Sequence, residues 1–522
     1  MPIFTKNKKL MRTFLYLLFV GVLISFSGCR SDFSFEPSVG NLGFSKDTVY
    51  LDTVFKNIGS STYTLKVYNK SNKDIKIPIL QLGKGLNSKY RILVDGMQGN
   101  NGKIFNNVEL LAKDSLFIFI ETTADVADAN PTDFLYTDQI KFGEGTNFQT
   151  VELVTLIQDA YFIYPNRLNG VYDSIPVGYN TDNSVSRVKG RDLINNHPEN
   201  GNEFNFKTDK PYVIYGFAGV PDGKTLTIPV GAKVNFHKDS GIIVQENATL
   251  NIGSGTATAD NQVIFEGDRL EPFYSDIPGQ WFGIYLRQGS KNHVIKNLIL
   301  KNAQVGILVQ QNLGTPLLIE NTQIYDCSNV GIYAVNAIIE GNNLVVNNAG
   351  QATLACTLGG NYNFKHCTFN NYWPSSKQVA VVVNNYSEDN NNVKKGFDLT
   401  EATFSNCIIY GGNQVELVLQ KIDGTTPFNY QFNNCLVKFF DSGTSIASNE
   451  LYNSIRREEN GNIKNKSPKF QNYNKNKLNI DMTSGAFELG NPFFMVAKDI
   501  LGNDRNPTKP DMGAYANKPF PQ

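Results

Sequence analysis

An all-β chain with two architectures, an N-terminal β-sandwich followed by a right-handed parallel β-helix, is predicted by three features of the sequence. The first is composition. With 44 glycines, 12% aromatic and only 18% charged residues in 522, turns and strands are favoured over helices, and a packed chain over a disordered one. The second is period-two alternation across residues 49–55, 63–68, 116–120 and 151–156, the pattern of strands with one buried face. The third is a series of very short apolar strands after residue 226 that recurs every 20–25 residues, the mark of a solenoid. The length allows two to four domains. The 48 basic residues balance the 48 acidic ones, which leaves no basic field to gather phosphates and argues against a nucleic-acid partner. Four scattered histidines and six cysteines without a Cys-x-x-Cys pair argue against a His/Cys zinc site.

At the amino terminus, Lys6, Lys8, Lys9 and Arg12 precede an apolar run over residues 14–26. Spanning a membrane takes about 20 apolar residues, whereas the core of a secretion signal takes about 7–15. The run ends at Ser27-Gly28-Cys29, which resembles the lipobox of bacterial lipoproteins, with Phe26 where such motifs favour leucine. The resemblance implies removal of residues 1–28, lipidation of Cys29 and anchoring to the outer membrane. Residues 29–37 then read as a tether. Its single early acid, Asp32 beside Arg30, leaves periplasmic and surface orientations both open.

Residues 38–160 are expected to form an immunoglobulin-like antiparallel sandwich, because turn clusters at 57–61 and 69–74 punctuate the alternating strands. No catalytic constellation falls within it, which leaves a spacer or a protein-binding module. Residues 161–210 read as irregular linker and lead-in strands, with Tyr161-Phe162-Ile163-Tyr164-Pro165 followed by Asn- and Asp-rich loops.

Residues 211–440 carry the repeat. Short strands at 226–228, 233–236, 241–244, 249–252, 263–265 and 283–286 are separated by Gly/Asn turns. A repeated motif begins at Ile295, Ile319, Ile339, Phe364, Phe404 and Phe432, and a second at Val305 and Val330. The leucine-rich frame is absent. Asparagine at the bends, where its side chain tolerates left-handed backbone, and aliphatic residues facing inward fit a parallel β-helix. About nine coils at ~4.8 Å give a rod on the order of 40 Å. The gap of 40 residues between Phe364 and Phe404 holds an Asn-rich excursion at 384–392. Cys367, Cys407 and Cys435 share one repeat position with Leu298 and Thr322 and are expected to face inward, while Cys327 and Cys356 could pair. Residues 441–522 are expected to continue the helix and cap it, shielding apolar surface and strand edges at its end.

The stretches 230–236 and 279–284, with the ending Gly502-Asn503-Asp504-Arg505 and Pro510-Asp511-Met512-Gly513-Ala514-Tyr515, resemble Bacteroidetes exported lipoproteins. In that group an immunoglobulin-like module precedes a right-handed β-helix of the pectin-lyase-like superfamily. The resemblance spans nearly the whole mature chain and implies a cell-envelope setting, with a polysaccharide or an envelope protein as partner. It implies no agreed activity.

Chemistry is sparse. Paired-Asp and Gly-His-Gly signatures of polygalacturonases are missing. The densest charged loop holds Glu266, Asp268, Arg269 and Glu271. It could bind Ca²⁺ or a sugar acid through hard oxygen ligands and a guanidinium, or be solvated turn charge. Trp281 and Trp373 are candidate platforms for sugar rings, or packing residues. Two functional readings follow: a non-catalytic envelope lipoprotein whose β-helix flank binds glycan or protein, or a polysaccharide lyase or glycoside hydrolase using the 266–271 loop.

Overall fold

A computed structural model describes residues 34–145, 148–179, 184–258 and 260–520. The leader and Cys29 lie outside them. The chain divides into two compact units after Gln158.

The first unit is a sandwich. One layer follows the path Glu36–Pro37, Ile75–Leu82, Leu135–Phe142, Gln149–Gln158 and Thr48–Tyr50, with Ile104–Leu110 and Val54–Phe55 at its flanks; the other is Leu42–Phe44, Tyr63–Asn69, Ser115–Thr122 and Tyr90–Val94. Alternate residues of both layers, among them Leu65, Val67, Ile118 and Ile120 opposite Ile77, Leu80, Ile140 and Leu153, are fully buried in one core. Two details differ from the sequence reading. Residues 49–55 form two strands, because this edge has one more residue than its partner between the pairs Tyr50/Val154 and Val54/Ile157, which forces a bulge. Both segments also pair in parallel, so the sandwich is mixed.

The second unit is a right-handed parallel β-helix of triangular coils. Each coil places one strand in each of three sheets, as Leu298–Lys301, Val305–Gln310 and Leu317–Glu320 do in turn. The first face has eleven strands, the second ten and the third eight. Inward residues stack in columns. Leu300, Ile324, Val346, Phe369, Ile409 and Val437 are successive register partners on the first face and all belong to one continuous core.

The bends explain the asparagines. Asn297, Asn321, Asn343, His366, Asn406 and Asn434 turn the corner between the third and first faces with φ of 46–55°, a left-handed backbone that Asn adopts more readily than β-branched residues do. The motif at Ile339 was out of register. Its true counterpart of Ile319 is Gly341, an inward position emptied of side chain because the Phe364 ring of the next coil occupies it.

Residues 161–210 do supply the lead-in strands expected of them, and the stretch between is ordered structure as well as linker. Tyr161–Ile163 is the first strand of the first face, paired in parallel with Tyr212–Ile214, and Ser174–Tyr179 with Val185–Asp192 is a hairpin opening the second face. The excursion after Asn384 is likewise a hairpin, Tyr386–Glu388 against Lys394–Gly396.

The C-terminal segment also differs from a simple cap. Phe439, Tyr452 and Ile455 close the core at the last coils. Beyond residue 465 the chain runs back along the outside of the first face as a strap. Ile480, Ala486 and Met512 pack on Ile408, Tyr410 and Leu436, and Leu478, Ile500 and Tyr515 pack on Tyr325 and Val345. Outward-facing Tyr325, Val345, Ile408 and Tyr410 make this face apolar, and covering it removes that area from water.

Candidate functional site

The loop singled out from the sequence does not converge. Glu266 pairs with Lys301 at 2.7 Å; Asp268 meets His237 Nδ1 at 2.7 Å, whose ring stacks on Tyr215. Arg269 pairs with Glu271 at 3.0 Å and lies 3.8 Å over the Tyr274 ring. Each carboxylate thus has its own partner. Among the described residues no three His, Cys, Asp or Glu side chains are grouped as a metal ion would need.

Trp281 is no platform for a ligand. Its side chain is 0% exposed, stacked face to face on Phe236 at 3.9 Å, and its indole N–H donates to the Lys301 carbonyl at 2.9 Å. Trp373 is half-buried, beside Tyr372, whose ring is covered by Tyr473 of the strap. Its corner stands four coils from the 266–271 loop, roughly 19 Å at the strand spacing, so the structure does not bring these candidates together.

His366 and the cysteines of the repeat are structural. His366 is buried in the bend ladder; Cys367, Cys407 and Cys435 are fully buried, and burial pushes the Cys407 and Cys435 thiols well up. Cys327 and Cys356 are both free.

What sequence reasoning missed lies at the corner between the second and third faces. There a groove of about 900 Å³ crosses several coils. Its floor is fixed by Asn312, whose side chain bonds both the N–H and the carbonyl of Ile338. Four amide side chains lining it, Gln288, Gln311, Asn336 and Asn361, hydrogen-bond no other described residue. Gln288, Gln311 and Asn336 follow one another at a single corner position, set by the pairs Leu286/Val309 and Gln310/Val335, about 4.8 Å apart. Leu313, 54% exposed, and the half-buried Phe397 add apolar surface. Arg287 is held at the rim by the Pro176 carbonyl at 3.1 Å and by Gln245. The groove's two carboxylates, Glu246 and Asp398, stand five coils apart, roughly 24 Å, far beyond the ~5–9.5 Å of a glycosidase pair. The arrangement can bind a polar extended ligand through a row of donors and acceptors. It holds no acid/base pair. The only sequence signal for it was amides at corner positions, which look the same as turn residues until the register is known.

No protein-family model and no curated protein matches the chain. Solved structures give only distant likenesses. The PapD-like domain 7 of human CEP192 is 12% identical over 25% of this chain and 93% of its own, with a TM-score of 0.15. The E. coli chaperone DraB is 14% identical over 27% of this chain and 61% of its own, with a TM-score of 0.14. A catalytic domain of GH87 alpha-1,3-glucanase in complex with nigerose is 10% identical over 73% of this chain and 82% of its own, with a TM-score of 0.18. Likenesses at these scores carry no functional argument; the fold rests on the strand pairings above.

Proposed function

We propose that this chain is an exported cell-envelope protein, anchored in the outer membrane through a lipidated Cys29, whose β-helix binds an extended glycan in the groove between its second and third faces without cleaving it. The observation that carries the reading is the row of unpartnered amides, Gln288, Gln311 and Asn336, with Asn361 beside it. Planar amides each offer donors and an acceptor, which matches the hydroxyl groups of sugars, and their spacing of one per coil suits a chain rather than a compact ligand. The strap supports the choice of groove, since it covers the outward surface of the first face along the same coils. The N-terminal sandwich serves as a spacer.

A glycan array probed with the full chain tests the binding, with the double variant Gln311→Ala/Asn336→Ala as control. Binding by the wild type and at least a tenfold loss in the variant is expected, since each lost pair of hydrogen bonds costs roughly 1–3 kcal/mol. No bound glycan, or binding unaffected by the variant, overturns the groove. New reducing or unsaturated ends in the bound polymer overturn the non-catalytic reading and favour the lyase or hydrolase. Mass spectrometry of membrane extracts tests the anchor: Cys29→Ser should release a chain lacking acyl mass.

A further inference from the structure

Among the described residues, the corner row that carries Gln288, Gln311 and Asn336 is open at one end and blocked at the other. Register extends the row in both directions. The pair Val244/Leu286 places Glu246 before Gln288, and the pairs Val335/Thr357 and Cys356/Val383 place Leu358 and then Asn385 after Asn336. At the Glu246 end the corners are short turns, residues 221–224 and 245–248. At Leu358 the corner narrows to residues 358–359, and at Asn385 it widens to residues 385–398. There the chain leaves the rod as the hairpin Tyr386–Glu388 against Lys394–Gly396, with residues 388–395 exposed.

A second excursion braces the hairpin. The next coil leaves the same corner over residues 421–430, and the two pack together. The buried Asn385 side chain joins them: its Oδ1 accepts from the Ile422 N–H at 2.8 Å and its Nδ2 donates to the Pro427 carbonyl at 3.2 Å. A Cβ at Gly396 would stand 2.8 Å from Thr426 Oγ1 and 3.2 Å from Ile422 Cγ2, so the hairpin is in contact with the second excursion along its returning strand. From this wall the half-buried Phe397, the exposed Asp398 and Thr400 line the groove. Thr400 ties the wall to the floor, its hydroxyl donating to the Gly360 carbonyl at 3.0 Å.

We infer that the groove takes the end of a glycan chain, with the terminal residue against Phe397 and Asp398, and not a segment from the middle of a polymer. The inference rests on the glycan-binding reading above and adds where on the polymer the protein sits. A chain lying along the amide row can run out over Glu246. At Asn385 it meets two packed layers of backbone, roughly 10 Å thick at the coil spacing, and passing them would lift it off the amides that hold it. A terminal sugar also keeps a hydroxyl that a residue inside the chain has given up to its glycosidic bond. The Asp398 carboxylate, which only accepts hydrogen bonds, stands at the blocked end to receive it, and such a charge-assisted bond is about twice as strong as a neutral one.

Counting proteins per polymer tests this. A linear homopolysaccharide that binds on the glycan array is prepared at two lengths, one just filling the groove at roughly 24 Å and one many times longer, and each is titrated into the full chain by calorimetry. The number of proteins bound per glycan chain should be the same at both lengths. A number that rises with length overturns the inference and leaves the groove reading standing. The groove reading fails separately, on an empty array or on binding that ignores Gln311→Ala/Asn336→Ala, and takes the inference with it. Replacing residues 386–396 by a Gly-Gly turn should let several proteins share one long chain. Asp398→Ala should weaken binding of the short glycan about tenfold, as loss of one charge-assisted hydrogen bond does, and unchanged binding overturns the placement of the chain end. Should the hairpin replacement fail to fold, the wild-type count and Asp398→Ala decide.

Discussion

At Gly341 the missing side chain is what lets the Phe364 ring lie in the core: a Cβ there would stand 2.5 Å from the ring. Gly341→Ala should therefore destabilise the chain by about 1–3 kcal/mol, as overpacking does. Phe364→Leu in the same molecule should recover part of the loss, and a double-mutant cycle in urea reads that coupling directly; strict additivity would contradict the stated contact. The residue also explains a misreading. Glycine in a repeat looks like a turn, and only the register against Ile319 and Phe364 reveals it as an inward position. For Trp281 the packing reading, left open beside that of a sugar platform, is the one that holds: its stacking on Phe236 makes it a core residue, and Trp281→Ala should cost about 3–5 kcal/mol while leaving groove binding in the folded fraction unchanged.

Among elements, the bends are what the sequence made most legible, and the strap least. Asn297, Asn321, Asn406 and Asn434 all adopt the left-handed conformation expected of them, because that preference is local and survives any packing context. Asn321→Val should cost roughly 1–2 kcal/mol for backbone strain alone, and Asn321→Gly much less, a contrast that chemical denaturation of the two variants checks. Inward columns were legible for a similar reason, since Ile319, Phe404 and Phe432 recur at one place in the motif. The strap has no such period. Its apolar anchors, Leu478, Ile480, Ala486, Ile500, Met512 and Tyr515, are spaced by the geometry of the face they cover and not by their own secondary structure. Nothing local in the sequence distinguishes a strap from a terminal cap. The groove was illegible on the same grounds: Gln288, Gln311 and Asn336 meet only through the stacking of coils.

For the whole molecule, burying titratable side chains inside a solenoid links stability to pH through two opposing sets. His293 lies in the core, its Nδ1 accepting from the Leu250 N–H at 3.1 Å and its Nε2 2.9 Å from the Ser290 hydroxyl, and burial pulls it from 6.5 to about 4. The unfolded chain takes a proton there near 6.5 while the folded one refuses it, so stability is lost as pH falls from about 6.5 toward 4, on the order of 2 kcal/mol by pH 5. His366, held well below its usual range by burial and by Arg505, acts with the same sign. Glu416 and Asp326 act against them. Burial raises Glu416 to about 7 and Asp326 to about 6. A carboxyl raised in the fold contributes stability that is fully present below its unfolded pKa and lost as pH rises through the folded one, so acidification from 7 toward 4.5 strengthens these two sites. The wild type should thus show a shallow pH dependence in this window, from cancellation rather than from insensitivity. His293→Gln, which keeps an acceptor for Leu250 and a donor for Ser290, removes one arm. Its stability relative to wild type should increase by about 2 kcal/mol between pH 7.5 and pH 5, read from urea midpoints at each pH. Parallel curves for the two proteins would mean that the imidazole accepts its proton inside the fold, and the packing around His293 would have to open to water on acidification.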